Sequence, residues 1–125
     1  MGNYKDLEIY QLSFKLSLEV HHLTLSLPKY ELYEQGSQLR RSTKSIKDNI
    51  VEAYGRRRYK AEYIRFLIFA HASCDEAISQ LEMLNILYFR EDPITELIEK
   101  YNSLGAKINK FIQYVEKNWK TTRNP

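Results

Sequence analysis

Glu19 and His22 stand one helical turn apart, a Glu-x-x-His spacing that lets two side chains on one face of a helix share a metal ion. Di-iron bundles use that pair twice and add two further glutamates. This chain carries it once, so a solvated or interface pair fits the spacing better than a ligand set. His71 and Asp75, also one turn apart, are two ligands without a third and read as an interhelical hydrogen bond. Cys74 is the only cysteine; it has no neighbouring base to activate it and falls on the inner stripe of its helix, where a small core residue is expected rather than a nucleophile. No phosphate-cradling glycine loop, nucleophile elbow or zinc spacing is present. No cofactor, metal or small-molecule substrate is therefore expected, and the chain reads as a non-enzyme.

Phosphate chemistry has more support. Between Arg40 and Arg65 nine bases (Arg40, Arg41, Lys44, Lys47, Arg56, Arg57, Arg58, Lys60, Arg65) outnumber three acids (Asp48, Glu52, Glu62). Between Asp75 and Glu99 the balance reverses, with seven acids against Arg90. Helical spacing pairs Lys44 with Asp48, Glu52 with Arg56 and Arg58 with Glu62, each a matter of a few tenths of a kcal/mol. Six bases then lack a local partner, and Arg40, Arg41, Lys44, Lys47, Arg56, Arg57, Arg58 and Lys60 form a candidate surface for RNA or DNA. The competing readings are that they face acids of another subunit or simply solvate the turn.

Four amphipathic segments must position these groups. Ile9, Leu12, Leu16, Val20, Leu23 and Leu27 recur at three- and four-residue steps, predicting a helix over about 6–27 that Pro28 stops. Leu39, Thr43, Ile46, Ile50, Ala53 and Tyr54 predict a second over about 34–54, with Gly55 suited to a left-handed terminal turn. Tyr63, Leu67, Ala70, Cys74, Ala77, Leu81, Leu84 and Tyr88 predict a third over 60–89. Asp92 and Pro93 read as a cap and first-turn pair for a fourth over 93–118, lined by Ile94, Leu97, Tyr101, Leu104, Ile108, Phe111, Ile112, Val115 and Trp119. Short connections make neighbours antiparallel, so the fold class is an all-α, up-down antiparallel four-helix bundle in one domain over 1–125, with a frayed tail over 120–125. The first ten residues lack a leader pattern and no apolar run reaches the length a bilayer needs, so a cytoplasmic protein with no membrane partner is expected.

Two helices are apolar on a second face. Leu7, Phe14, Leu18 and Leu25 lie across the first helix from its core stripe, and Ile68, Phe69, Ala72, Met83, Ile86 and Leu87 do the same on the third. A lone bundle covers one stripe per helix, so these faces predict self-association, each large side chain left in water forgoing roughly 1.5–3 kcal/mol of burial.

The run Gln38-Leu39-Arg40-Arg41-Ser42-Thr43-Lys44-Ser45-Ile46-Lys47-Asp48-Asn49-Ile50-Val51-Glu52-Ala53-Tyr54-Gly55-Arg56 resembles the central signature of the four-helix bundle proteins first met as reading frames in 23S ribosomal RNA intervening sequences. Tyr4 to Gln11, the Leu27-Pro28 to Glu31 corner and Ile64-Arg65-Phe66-Leu67 extend the likeness over nearly the whole chain. The resemblance implies a ring-like homopentamer; the chain is also similar to the accessory protein of diversity-generating retroelements, a basic pentamer that binds nucleic acid and a reverse transcriptase. It singles out Arg40, Arg41, Ser45, Asn49, Glu52 and Arg56 as motif positions, with Asn49 and Glu52 as interhelical groups that fix register and Arg40 and Arg41 as partners for Glu76 or a neighbouring subunit. The expected function is thus a homo-oligomeric scaffold with weak, sequence-independent nucleic-acid binding; the alternative is a protein-binding adaptor with no nucleic-acid role.

Overall fold

The computed structural model describes residues 2–89 and 92–121. A 3-10 turn, Tyr4–Asp6, is closed by a reciprocal cap in which Asn3 accepts from the Lys5 amide and Asp6 from the Asn3 amide. Helix α1 (Glu8–Thr24) follows, then a short α2 (Lys29–Tyr33), α3 (Gln35–Gly55), α4 (Lys60–Leu84) continued by a π-helical turn over Asn85–Phe89, and α5 (Asp92–Asn118). The four long helices form the expected bundle, and none of the described helices is long and apolar enough to cross a membrane. α3 and α5 each pack against both α1 and α4, which leaves α1 and α4 on diagonally opposite corners.

The inner stripes meet as the spacing requires. Ile9, Leu16 and Val20 of α1 share a core with Leu39, Ile46 and Ile50 of α3, Tyr63, Leu67 and Leu81 of α4, and Ile94, Leu104 and Ile108 of α5. α3 and α4 are also joined by a Ser45–Ser73 hydroxyl contact at 2.9 Å. Asn49 supports that contact from its own helix, donating to the Ser45 carbonyl and hydroxyl. Ser45 therefore spans the helix pair at this point and Asn49 aims it, while Glu52 stays on its own helix with Arg56.

Three boundaries differ from the sequence expectation. α1 ends at Thr24, and Pro28, with φ −53° and ψ 148°, introduces the short α2. Gly55 remains within α3 and no left-handed turn follows, since Arg56 caps the helix at φ −104°. The last turn of the third helix widens to π geometry, which brings the Tyr88 hydroxyl within 2.6 Å of a Glu31 carboxylate oxygen and 3.1 Å of the Tyr30 hydroxyl. The buried Glu31 side chain also accepts from the Gln35 amide and so caps α3. The Asp92 side chain, the Arg90 and Glu91 part of the acidic run, and residues 122–125 of the expected tail lie outside the described residues.

Two glycines mark close helix approaches of opposite consequence. A Cβ on Gly36 would stand 3.1 Å from Arg40 Nη1 and 3.2 Å from the Glu31 carbonyl, whereas one on Gly105 would meet only ordinary contacts, 3.6 Å from Cys74 Sγ and 3.9 Å from His71 Nε2. Gly105 lies in the interior of α5, where glycine costs backbone entropy without being needed for space. Gly105→Ala is expected to raise the unfolding free energy by about 0.5–1 kcal/mol in urea denaturation, while Gly36→Ala lowers it.

Candidate functional site

One end of the bundle gathers bases from two distant stretches of chain. α3 finishes there and the turn to α4 carries Arg56, Arg57, Arg58 and Lys60; the C-terminus of α5 brings Lys117, Trp119 and Lys120 to the same end. Helix C-termini favour cations, so the basic turn sits where the α3 dipole stabilises it. The Trp119 indole N–H donates to the Arg57 carbonyl at 2.6 Å and its ring meets Tyr63 edge-on at 5.1 Å. Lys60 adds a second clasp, its Nζ donating to the Glu116 carbonyl and its amide to Thr121. Gly55, Arg57, Arg58, Trp119 and Lys120 line a cavity of about 410 Å³ at this end.

Aromatic rings orient the arginines. Arg57 lies over Tyr54 at 4.0 Å from the ring centroid, Arg56 over Phe66 at 4.6 Å, and Arg58 over Tyr59 at 6.0 Å. Arg65 lies between Phe66 and Phe69, at 5.7 and 5.4 Å. Stacking leaves the edges of a guanidinium open to an oxyanion. Arg56 is the most committed of the group, bridging Glu52 at 3.1 Å and Glu62 at 3.0 Å.

The other bases are placed elsewhere. Arg40 is half-buried, its Nη1 donating to Thr24 Oγ1 at 2.9 Å and its Nη2 to the Leu32 carbonyl at 3.1 Å, so it fastens the α1–α2 corner instead of facing outward. Arg41 shares a shallow cavity with Gln38, Ser42, Glu76 and Gln80. Lys44 is exposed, and Asp48 pairs with Lys47 at 2.7 Å in preference to Lys44. The candidate surface therefore separates into a dense end (Arg56, Arg57, Arg58, Lys60) and isolated positions along α3. Lys117, Trp119 and Lys120 were not singled out from sequence as part of it, because nothing in local spacing relates the end of α5 to the α3–α4 turn.

The second apolar faces are exposed as expected, with one exception. Phe14, Leu18, Leu25, Ile68, Phe69, Met83, Ile86 and Leu87 are between 39% and 63% exposed, and Ala72 is exposed among them. Leu7 instead packs beside Phe111 and Tyr114 in the α1–α5 seam. Its backbone is extended, φ −73° and ψ 128°, and precedes the first residue of α1, so the 100° step that placed it on the outer stripe does not apply.

The remaining chemical candidates are held in structural roles. Glu19 pairs with Lys100 of α5 at 3.1 Å, and His71 with Asp75 at 3.6 Å on their own helix. Among the described residues no three His, Cys, Asp or Glu side chains converge on a metal position. Cys74 is fully buried and its thiol points to the Tyr101 carbonyl at 3.3 Å. Burial, reinforced by the Asp75 charge, pushes the thiol up from 9.0 to about 12.

A family profile described as 23S rRNA-intervening sequence protein matches residues 5–110, from the turn before α1 to the middle of α5. No curated protein matches the chain.

A thiol raised from 9.0 to about 12 carries roughly a thousandfold less thiolate near neutral pH. Iodoacetamide should leave Cys74 unmodified in the native protein and alkylate it in concentrated urea; brisk native labelling would show that the thiol is accessible. Burial also raises Tyr63 from 10.0 to about 12. The folded protein holds both protons at pH values where the unfolded chain releases them, so this stability is complete below about 9 and is lost as pH climbs toward about 12. The melting temperature should fall through that window.

Proposed function

Given that the chain belongs to the 23S rRNA-intervening sequence protein family, we propose that it is a non-enzymatic, homo-oligomeric scaffold that holds RNA or DNA weakly and without sequence preference through the basic end of its bundle. The observation that carries this reading is the cavity that Arg57 and Arg58 line together with Trp119 and Lys120, at the end of the bundle that also carries Arg56, Lys60 and Lys117. Guanidiniums presented on aromatic rings suit phosphate oxygens, which contribute affinity but carry no base identity.

The oligomer supplies what one subunit lacks. A single cluster of this size gives only weak binding, and repeating it around a ring, the pentamer implied by the family resemblance, multiplies phosphate contacts on one polymer. The exposed outer faces of α1 and α4 support self-association. The alternative, a protein-binding adaptor, rests on the acids of α4 and the same apolar faces, and it assigns no role to the arginine-rich end.

Filter retention of a homopolymeric RNA and of duplex DNA over a salt series separates the two. Duplex binding should weaken by about 0.9 logarithmic units per contacted phosphate for each decade of salt, and single strands by about 0.7. The double variant Arg57→Glu, Arg58→Glu should lose retention while keeping its helical content and oligomeric state. Absence of binding at low salt, or binding indifferent to salt, would exclude the nucleic-acid reading and leave the adaptor.

A further inference from the structure

We propose that the basic end of the bundle selects unpaired strands over duplexes, with bases stacking on Tyr59 and Trp119 while Arg57, Arg58 and Lys120 hold the adjoining phosphates. The inference rests on the nucleic-acid reading above and names the form of the polymer. Phosphate contacts alone would give the opposite order, because a duplex carries a charge every 1.7 Å or so along its axis and a single strand about half as many. A preference for the strand must come from its bases, and a site for them needs aromatic rings beside the cations.

Two such rings are held at this end by the backbone around them. Lys60, next to Tyr59, donates its amide to Thr121 Oγ1 at 3.1 Å and its Nζ to the Glu116 carbonyl at 2.6 Å, while the Trp119 N–H donates to the Arg57 carbonyl. The turn and the end of α5 are thereby tied on both sides of the rings. Tyr59 is 48% exposed and occupies the N-cap of α4 without a side-chain cap bond, a position where a small polar residue would serve the helix better. Its ring therefore serves neither core nor cap. Arg58 stands 6.0 Å from its centroid, the outer limit of a cation–π contact, and leaves room for a base. Gly55 lines the same cavity as Trp119, and a Cβ there would meet no atom within 4 Å. That wall is open.

Shape agrees with the chemistry. The cavity of about 410 Å³ falls at the small end of the range for ligand pockets, roughly 300–1,000 Å³. Bases inside a duplex are covered by their neighbours in the stack and reach such a cavity only after unpairing, whereas those of a single strand present their faces freely. Duplex readout needs a helix or a two-stranded ribbon that enters the major groove. Arg57 and Arg58 instead lie on the short turn between α3 and α4, bound back against α5. Every base has a stackable face, so this selectivity for strand over duplex brings no preference for sequence.

Trp119 is the only tryptophan of the chain, so its emission reports on the site directly. Three probes are titrated at low salt: a thymidine strand, an abasic strand of the same length, and a duplex with the same number of phosphates. The thymidine strand should bind more tightly than either control and quench Trp119. Tyr59→Ala, at an exposed position, should weaken strand binding by about five- to 150-fold, the range expected for one lost stack, and leave abasic binding unchanged. Tyr59→Phe should restore it, since the ring and not the hydroxyl stacks. Duplex binding at least as tight as strand binding, an unquenched Trp119, or a Tyr59→Ala protein that binds the strand like wild type would each overturn the stacking site while the phosphate reading stands. Failure of all three probes to bind would overturn the phosphate reading itself.

Discussion

A helix at the corner of a four-helix bundle touches two neighbours and can hide one stripe of its surface; α1 and α4 carry two. The inner stripes are spent on a shared core in which the large side chains of all four long helices are fully buried. The outer stripes are left over. Because α1 and α4 are separated in sequence by α3, which packs on both, they take opposite corners, and the leftover surfaces face in opposite directions. A single two-fold contact, which buries the same patch on both partners, could cover only one of these surfaces.

The same arrangement sorts charge along the bundle. Arginines of the α3–α4 turn sit at a helix C-terminus, against rings from both helices, and are completed by residues at the end of α5. At the opposite end a different polar group is used for packing. Arg40 bonds the last turn of α1 to the short α2, while Glu31 gathers Tyr88 and the first amide of α3. Hydrogen bonds to the Glu31 and Tyr30 side chains, with burial a smaller contribution, hold the Tyr88 hydroxyl above its ordinary range, so that proton stays in place as the link. The π turn is what lets Tyr88 reach it: widening the last turn of the third helix aims the ring inward while Ile86 and Leu87 remain outside.

Much of this was legible beforehand. Periodicity alone determined four amphipathic helices, their core faces from Ile9 to Val115, and the two extra apolar stripes, because a 3.6-residue repeat projects composition directly onto direction. The candidate surface was legible only as a list of bases. Arg40 and Arg57 look alike in sequence, yet one is fastened into a corner and the other is laid on Tyr54 at an open end. The Glu52–Arg56 pair followed from spacing, while Lys44 lost Asp48 to its neighbour Lys47, a choice made by rotamers rather than by register.

What tertiary structure alone decided has a common cause: it joins residues that the chain separates. Trp119 meets Arg57, Tyr88 meets Glu31, Ser45 meets Ser73, and Leu7 falls into the α1–α5 seam because its backbone is extended where helical stepping was assumed. Local patterning fixes which face of each helix is greasy or charged. It carries no information on which helix ends coincide or which corners are diagonal, since those depend on chain crossings that only the packed core settles.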